Sequence, residues 1–407
     1  MRWIPFIIFI IIVQRYAFHA IKTITQNKFW WAIYALVVGI ILGGVLWQTL
    51  NFDRTVGWIP IVAYSLGMFV ALLSGQLLMI CLLFLEDLSR GASSLLHFFT
   101  SDQKIHFPQR RKFVSQIAIA LGAIPFSSLL YGMYKGRYNY RVLNYTLEYE
   151  NLPDGFDGFQ ITQISDLHCG SFDNTKKVAY GLDLIDKQKS DLVLFTGDMV
   201  NNKANEARPW VEFIAKIKAP YGKFSVLGNH DYGDYSDWEN EADKKQNMEE
   251  MYQIHQDMGF DLLLNESRYI EKNGDRIALV GVENWGAGRF KKAGDLEKSI
   301  SKIEPNDFKI LLSHDPSHWE AEVIPHAYPF HLTLSGHTHG FQFGIEIPGW
   351  IKWSPIQWRY KQWAGIYENK EQKLNVNRGF GYLAYPGRVG IWPEITVITL
   401  KKRNLLI

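Results

Sequence analysis

The sequence predicts an α/β domain preceded by a bundle of transmembrane helices. Three observations carry that prediction. The first third of the 407 residues is saturated with Ile, Leu, Phe, Val and Trp in long uncharged runs, whereas the remainder alternates like a globular protein. From about Arg141, short apolar strand candidates alternate with helical stretches. Successive strand candidates then end in Asp, His or Asn, usually beside a glycine.

The length allows two or three domains. A net charge of +2 gives no sign of nucleic acid or acidic partners, and none is expected. Cys81 and Cys169 stand in very different contexts, so a structural disulfide is not expected and the redox compartment stays open.

Residues 29–50 and 58–85 form apolar runs without a charge up to residue 85. Each exceeds the roughly 20 residues that span a hydrocarbon core. Trp30, Trp31, Trp47 and Trp58 fall near their ends, where aromatic belts sit. Residues 3–13 look like the apolar region of a signal peptide, but no small-residue cleavage site follows, so a first anchor over 3–20 is expected. Residues 113–134 make a fourth span despite Gln116, three serines and Pro125. Neighbouring helices satisfy such groups in a membrane. The membrane region is thus expected over residues 1–135.

Basic residues in the connections give an orientation. Arg15, Lys22 and Lys28 precede the second span, and Arg90, Lys104, Arg110, Arg111 and Lys112 precede the fourth. The connection between these holds only Arg54. The positive-inside rule puts the two basic connections in the cytoplasm and everything beyond a fourth span outside it. Lys135, Arg137 and Arg141 argue the other way. The expectation is a multi-pass protein of the cell membrane with an extracytoplasmic domain over 141–407.

In that domain, strands are expected at 159–165, 192–196, 223–227, 276–282, 309–313, 331–334 and 394–400, with helices at 176–188 and 210–218 and a surface loop and helix over 234–250. Such alternation indicates a sheet covered by helices. Ligands bind beyond the carboxyl ends of strands in such sheets. The ends read Asp166-Leu167-His168, Gly197-Asp198, Gly228-Asn229-His230-Asp231, His314-Asp315 and Gly336-His337-Thr338-His339. Any one of them is an ordinary turn composition. Their succession in one domain points to metal ligation, since imidazole and carboxylate are common ligands of transition metals.

These blocks, in this order, resemble the calcineurin-like metallophosphoesterase family, whose pattern is Asp-x-His, Gly-Asp, Gly-Asn-His-Asp/Glu, a lone His and Gly-His-x-His. The match covers residues 141–407. The phrases SDLH, TGD, LGNHDY, LSHDP and LSGHTHG look most like the membrane-associated branch, with its bacterial phosphodiesterases and lipid-precursor pyrophosphatases. Phe341 stands where that branch often has a second glycine. The resemblance implies a four-layer α-β-β-α sandwich. It implies that Asp166, His168 and His339 hold one metal, that Asn229, His314 and His337 hold another, and that Asp198 bridges them. The donors are nitrogen and oxygen, which favours Mn, Fe or Zn. A water between two such ions becomes the nucleophile of an in-line displacement at phosphorus.

His230 is the expected catalytic group, protonating the leaving oxygen or stabilising phosphoryl charge. Asp231 either orients it or caps a helix start. Cys169 is expected to pack, and His318, His326 and His331 have no motif support. Arg378 and Arg388 are candidate phosphate binders, with a structural role as the alternative. Trp350, Trp353, Trp358 and Trp363, among Lys352, Arg359 and Lys361, suit either a membrane interface or a loop over the sheet.

The function expected is a membrane-anchored phosphoesterase with two divalent ions, acting on a phosphodiester or pyrophosphate of a lipid or envelope precursor. Three alternatives stand beside it. One is a broad-specificity phosphatase or phosphodiesterase merely localised by its anchor. Another is a catalytically silent scaffold, although no motif residue is missing. The third is a transporter or sensor with an esterase output, but the spans hold few polar residues. The sequence does not fix an oligomeric state.

Overall fold

The computed structural model describes residues 4–53, 55–57, 59–100 and 108–403. Trp3, Arg54, Trp58 and Lys104, which the sequence argument uses, lie outside the described residues. The chain divides into two compact units, Met1–Phe52 with Ile61–Met133 and Asp53–Pro60 with Tyr134–Ile407.

The first unit is helical, with α1 (Ile4–Ile24), α2 (Lys28–Leu50), α3 (Pro60–Thr100) and α4 (Pro108–Tyr134). All four are long and apolar enough to cross a membrane. Asn27 caps α2 by accepting the Phe29 amide. α3 runs well past residue 85. The charges that follow do not end it, because α4 neutralises them: Arg111 Nη1 lies 2.5 Å from Glu86 and 2.8 Å from Asp87. Gly75 and Gly122 let α3 and α4 touch backbone to backbone, since a Cβ on either would collide with the other's carbonyl oxygen. Small residues serve this purpose in membrane helices. Gln76 Nε2 donates to Gln14 at 2.8 Å and to Tyr34 at 2.7 Å, so these polar groups satisfy one another.

The second unit is an α/β sandwich of two mixed sheets. The first sheet has the order β1-β14-β2-β3-β4-β5. Its strands are β1 (Arg141–Tyr149), β2 (Gln160–Ile164), β3 (Leu192–Phe195), β4 (Lys223–Ser225), β5 (Asp261–Leu262) and β14 (Glu394–Lys402). The second sheet has the order β12-β13-β9-β8-β7-β6. It is built from β6 (Glu266–Lys272), β7 (Asp275–Gly281), β8 (Lys309–Leu312), β9 (Leu332–Ser335), β12 (Gly365–Asn369) and β13 (Gln372–Val376). β10 (Ile345–Ile347) and β11 (Ile351–Trp353) form a separate hairpin.

Alternation along each strand builds the layers. Leu192 and Leu194 of β3 enter a core shared with Ile277, Leu279, Ile310 and Leu312 of the other sheet. Val193 and Phe195 point the opposite way, onto α5 (Thr175–Asp186), α6 (Val211–Ala215) and α7 (Glu241–Asp257) through residues such as Leu182, Ile214 and Ile254. Val280 and Leu311 face outward from the second sheet, onto α8 (Leu296–Ile300) and Trp319. Helices thus cover both outer faces, as the four-layer expectation required.

Five of the strands absent from the sequence reading carry a weak or disguised apolar signal. β1, β5, β6 and β12 are the edges of the two sheets, where one-sided burial weakens the apolar signal. β13 reads QKLNV, and its buried Lys373 and Asn375 disguise an interior strand. The helix expected over 210–218 is shorter, because a 3-10 stretch, Ala204–Trp210, takes up its approach.

Candidate metal centre

The parallel strands β2, β3 and β4 of one sheet and β8 and β9 of the other end in the motif blocks. The two sheets therefore bring their carboxyl ends to one site. Asp166, His168 and His339 offer ligand atoms within 4.8 Å of one another, and so do Asp198, His314 and His337. Asp198 Oδ2 lies 3.2 Å from His314 Nε2 in its own group and 3.6 Å from His168 Nε2 in the other. Asn229 Oδ1 is 2.8 Å from His337 Nδ1, which puts it beside the second group. His337 and His339, one residue apart, serve different groups.

The backbone at this site is unusual. Asp166 (φ 52), His168 (φ 48), Asp198 (φ 61), His337 (φ 71) and His339 (φ 50) are all left-handed. Such conformations cost about 1–3 kcal/mol each outside glycine and gather at functional sites. Two glycines make room for the ligands. A Cβ on Gly228 would strike the Asp198 carboxylate, and one on Gly336 would strike Ser165 and Asp166.

Backbone carbonyls fix the rings. His168 Nδ1 lies 3.1 Å from Val200 O and His314 Nδ1 lies 2.7 Å from Thr196 O. A carbonyl only accepts, so each Nδ1 carries the proton and each Nε2 is left as the ligand atom. His337 is turned the other way. Its Nε2 meets the Tyr360 hydroxyl at 2.8 Å and Asp315 at 3.5 Å, while its Nδ1 faces Asn229 and His314. His339 packs its Nδ1 against Arg388 at 3.2 Å.

Two observations fit these residues to a pair of divalent ions. Buried polar atoms are normally hydrogen-bonded, yet His168 Nε2 and His339 Nε2 are buried without a hydrogen bond, and both belong to the first group. The electrostatics also ask for positive charge. Burial depresses His168 to about 3 and His337 to about 4 and holds His339 well below the usual range, so these rings are neutral donors. Burial raises Asp166 to about 6. Against the effect of burial, the Asp198 carboxylate raises His314 to about 10, and His314 in turn helps hold Asp198 well below the carboxylate range.

His230 is half-buried beside the two groups, its ring centroid 5.0 Å from that of His168 and 4.4 Å from that of Tyr235. Its Nδ1 lies 2.6 Å from Asn201 O, and its amide donates to Asp198 Oδ1 at 2.9 Å. Asp231 neither orients His230 nor reaches the reacting face. It is fully buried, and its carboxylate accepts the amides of Gly228, Asp198 and Met199 at 2.8, 2.9 and 2.7 Å. Burial raises it to about 7, and the Asp198 charge adds to the effect.

The phosphate-binding expectation for Arg378 and Arg388 is likewise corrected. Arg378 is paired with Glu346 and Glu394 at 2.5 Å each and is only 5% exposed at its side chain. Arg388 is fully buried and donates to the carbonyls of Arg378, Gly379 and Gly381. Both guanidiniums are already partnered, and only that of Arg388 lies against His339. Cys169 is buried packing, as expected, and His318 is held by Ser313 and Glu322.

Sequence reasoning gave no role to Asn201, Tyr235, Asp315 or Tyr360. Tyr235 accepts from Asn229 Nδ2 at 2.9 Å. It lies in a stretch read as surface, although an aromatic this close to GNHD was a usable signal. Tyr360 lies in the tryptophan-rich stretch, where the indoles drew attention from it.

Residues 159–341 match the family model described as "Calcineurin-like phosphoesterase". Residues 1–137 match the one described as "Probable Calcineurin-like phosphoesterase, transmembrane domain". The metallophosphoesterase YkuE of Bacillus subtilis (strain 168) is 31% identical over 301 residues, 72% of this chain and 98% of that protein. A "Transmembrane protein with metallophosphoesterase domain" of Danio rerio is 25% identical over 387 residues, 92% of this chain and 81% of that protein. With relatives in bacteria and in a vertebrate, four helices fit for a membrane and two buried His/Asp groups at the strand ends, the chain belongs to the calcineurin-like metallophosphoesterases and carries their N-terminal transmembrane domain.

Proposed function

We propose that the chain hydrolyses a phosphodiester or pyrophosphate bond, in a lipid or envelope precursor presented at the membrane. The observation that carries this reading is the pair of buried ligand groups facing one another across Asp198, with His230 at their mouth. Asp166, His168, Asp198, Asn229, His314, His337 and His339 would hold two divalent ions, of Mn, Fe or Zn type. Bound there, such ions supply Lewis-acid charge to phosphoryl oxygens and ionise water readily. The chain's own residues do the rest. Asp198 is held in one orientation by the His230 amide. Asn201 fixes the His230 proton on Nδ1 and leaves Nε2 to the substrate. Through Nε2, His230 steadies charge on the phosphoryl group or passes a proton to the leaving oxygen.

The domain is proposed to lie outside the cytoplasm. The basic connections before the second and fourth spans support this. A topology reporter fused after Tyr134 that reads cytoplasmic would overturn the placement.

The activity is tested with Asp198→Ala in the full chain, assayed on bis-p-nitrophenyl phosphate with Mn. Hydrolysis should be abolished. A variant as active as the parent protein would end the two-ion reading.

A further inference from the structure

The hairpin of β10 and β11 leaves part of an apolar face open. Its register sets Ile345 opposite Trp353 and Ile347 opposite Ile351, with Glu346 opposite Lys352 between them. Side chains alternate between faces along a strand, so one face is wholly apolar and the other charged. A hairpin on a water-facing domain turns its apolar face inward. Here the charged face is the one that bonds to the domain, although Lys352 itself stays exposed. Glu346 is fixed by the buried Arg378 at 2.5 Å. Lys352 folds its ammonium back onto the Ala364 carbonyl at 2.5 Å and over the Trp363 and Tyr367 rings.

On the apolar face Ile351 and Trp353 are half-buried, while β10 and the turn stay open. Ile345 is 50% exposed and Ile347 42%, and Trp350, at the turn between the strands, is 77% exposed. Trp358 extends the face, with its ring 6.3 Å from Trp353, and is 78% exposed. Phe341 adjoins it in sequence, two residues after the ligand His339. It holds a left-handed φ of 58 and is 58% exposed. A bulky residue in that conformation is strained, so the backbone presents this ring outward at a cost.

Contiguous exposed apolar surface of this kind marks a contact site. The chain itself supplies the occupant's chemistry. Its four helices are fit for a bilayer, and α4 ends at Tyr134 only a few residues before β1 begins at Arg141. At about 3.5 Å per residue, the domain cannot leave the membrane surface. Indoles favour the headgroup boundary. We propose that the β10–β11 hairpin, with Phe341 and Trp358, docks its apolar face into the surface of the lipid bilayer, beside the turn that carries the metal ligands.

The test is fluorescence, independent of the reaction assigned above. Trp350→Cys is made in the full chain with Cys81→Ser. Cys169 stays, because it is buried and will not label. The thiol is coupled to an environment-sensitive dye, and the protein is reconstituted in nanodiscs with and without lipids brominated near the headgroup. Glu304→Cys, in the loop that leads into β8 at the end away from His314, serves as control, and Ile347→Cys as a second probe should Trp350→Cys fail to assemble. Bromolipid should quench most of the emission at 350 or 347 and little at 304. Equal quenching at hairpin and control overturns the proposal. So does a hairpin signal that ignores bromolipid but shifts with protein density, which would assign the face to a second copy of the chain.

Discussion

His230 Nδ1 lies 2.6 Å from the carbonyl oxygen of Asn201. This contact fixes the tautomer of a half-buried imidazole that is not needed as a metal ligand. His230→Ala should therefore keep both ions, measured by elemental analysis of the purified protein. Its turnover on bis-p-nitrophenyl phosphate should fall by about 10²–10⁴-fold, the usual contribution of a positioned acid or base. Loss of metal in step with activity would reassign His230 as a ligand.

Tyr360 and Asp315 together face the outer nitrogen of His337, at 2.8 and 3.5 Å. Partners of this kind orient a ligating imidazole, and removing one weakens metal binding by about 10–100-fold. Tyr360→Phe should weaken one of two Mn binding steps, measured by titration of the stripped protein, and leave the other unchanged. Equal weakening of both steps would point to a general loosening of the fold.

Asp231 is the case in which the motif misled. Its position after His230 suggested a catalytic partner, but its carboxylate collects four backbone amides that shape the Asp198 turn. Asp231→Ala leaves those amides without an acceptor. Each buried donor left unpaired costs about 1–3 kcal/mol, so the Tm should fall sharply and metal content with it. If the carboxylate instead oriented His230, Asp231→Asn would lower kcat at full metal content and unchanged Tm.

These residues mark what the sequence could and could not carry. That Asp166, His168, Asp198, Asn229, His314, His337 and His339 would meet in one place was legible because their blocks follow apolar runs at strands' carboxyl ends, and the parallel strands gather those ends. The tautomers were not legible, since they depend on the carbonyls of Thr196, Val200 and Asn201, and any residue type supplies a carbonyl. Arg378 and Arg388 looked like anion binders because a basic side chain near a site is ambiguous until its partners are known. Glu346 and Glu394, distant in sequence from each other, claim Arg378. The outward face of β10–β11 was hidden for a similar reason. Its alternation is plain in the sequence, but which face is held to the domain depends on the Arg378–Glu346 pair.

His255 gives a pH dependence away from the metal ligands. It sits in α7 with Nδ1 2.9 Å from Ser225 Oγ, and its Nε2 is buried without a hydrogen bond. Burial lowers it to about 3, against about 6.5 in an unfolded chain. Between those values the unfolded state binds the proton and the folded state does not. The contribution of His255 is thus fully present above about pH 6.5 and is lost as pH falls toward 3, at up to about 1.4 kcal/mol per pH unit. Burial also lowers His331, to about 4, so it adds to the same slope. His255→Gln keeps a polar partner for Ser225 and removes the titration. With chelator present throughout, the drop in Tm between about pH 6.5 and 4.5 should be smaller in this variant than in the parent protein. An unchanged slope would mean that His255 already carries its proton in the folded state.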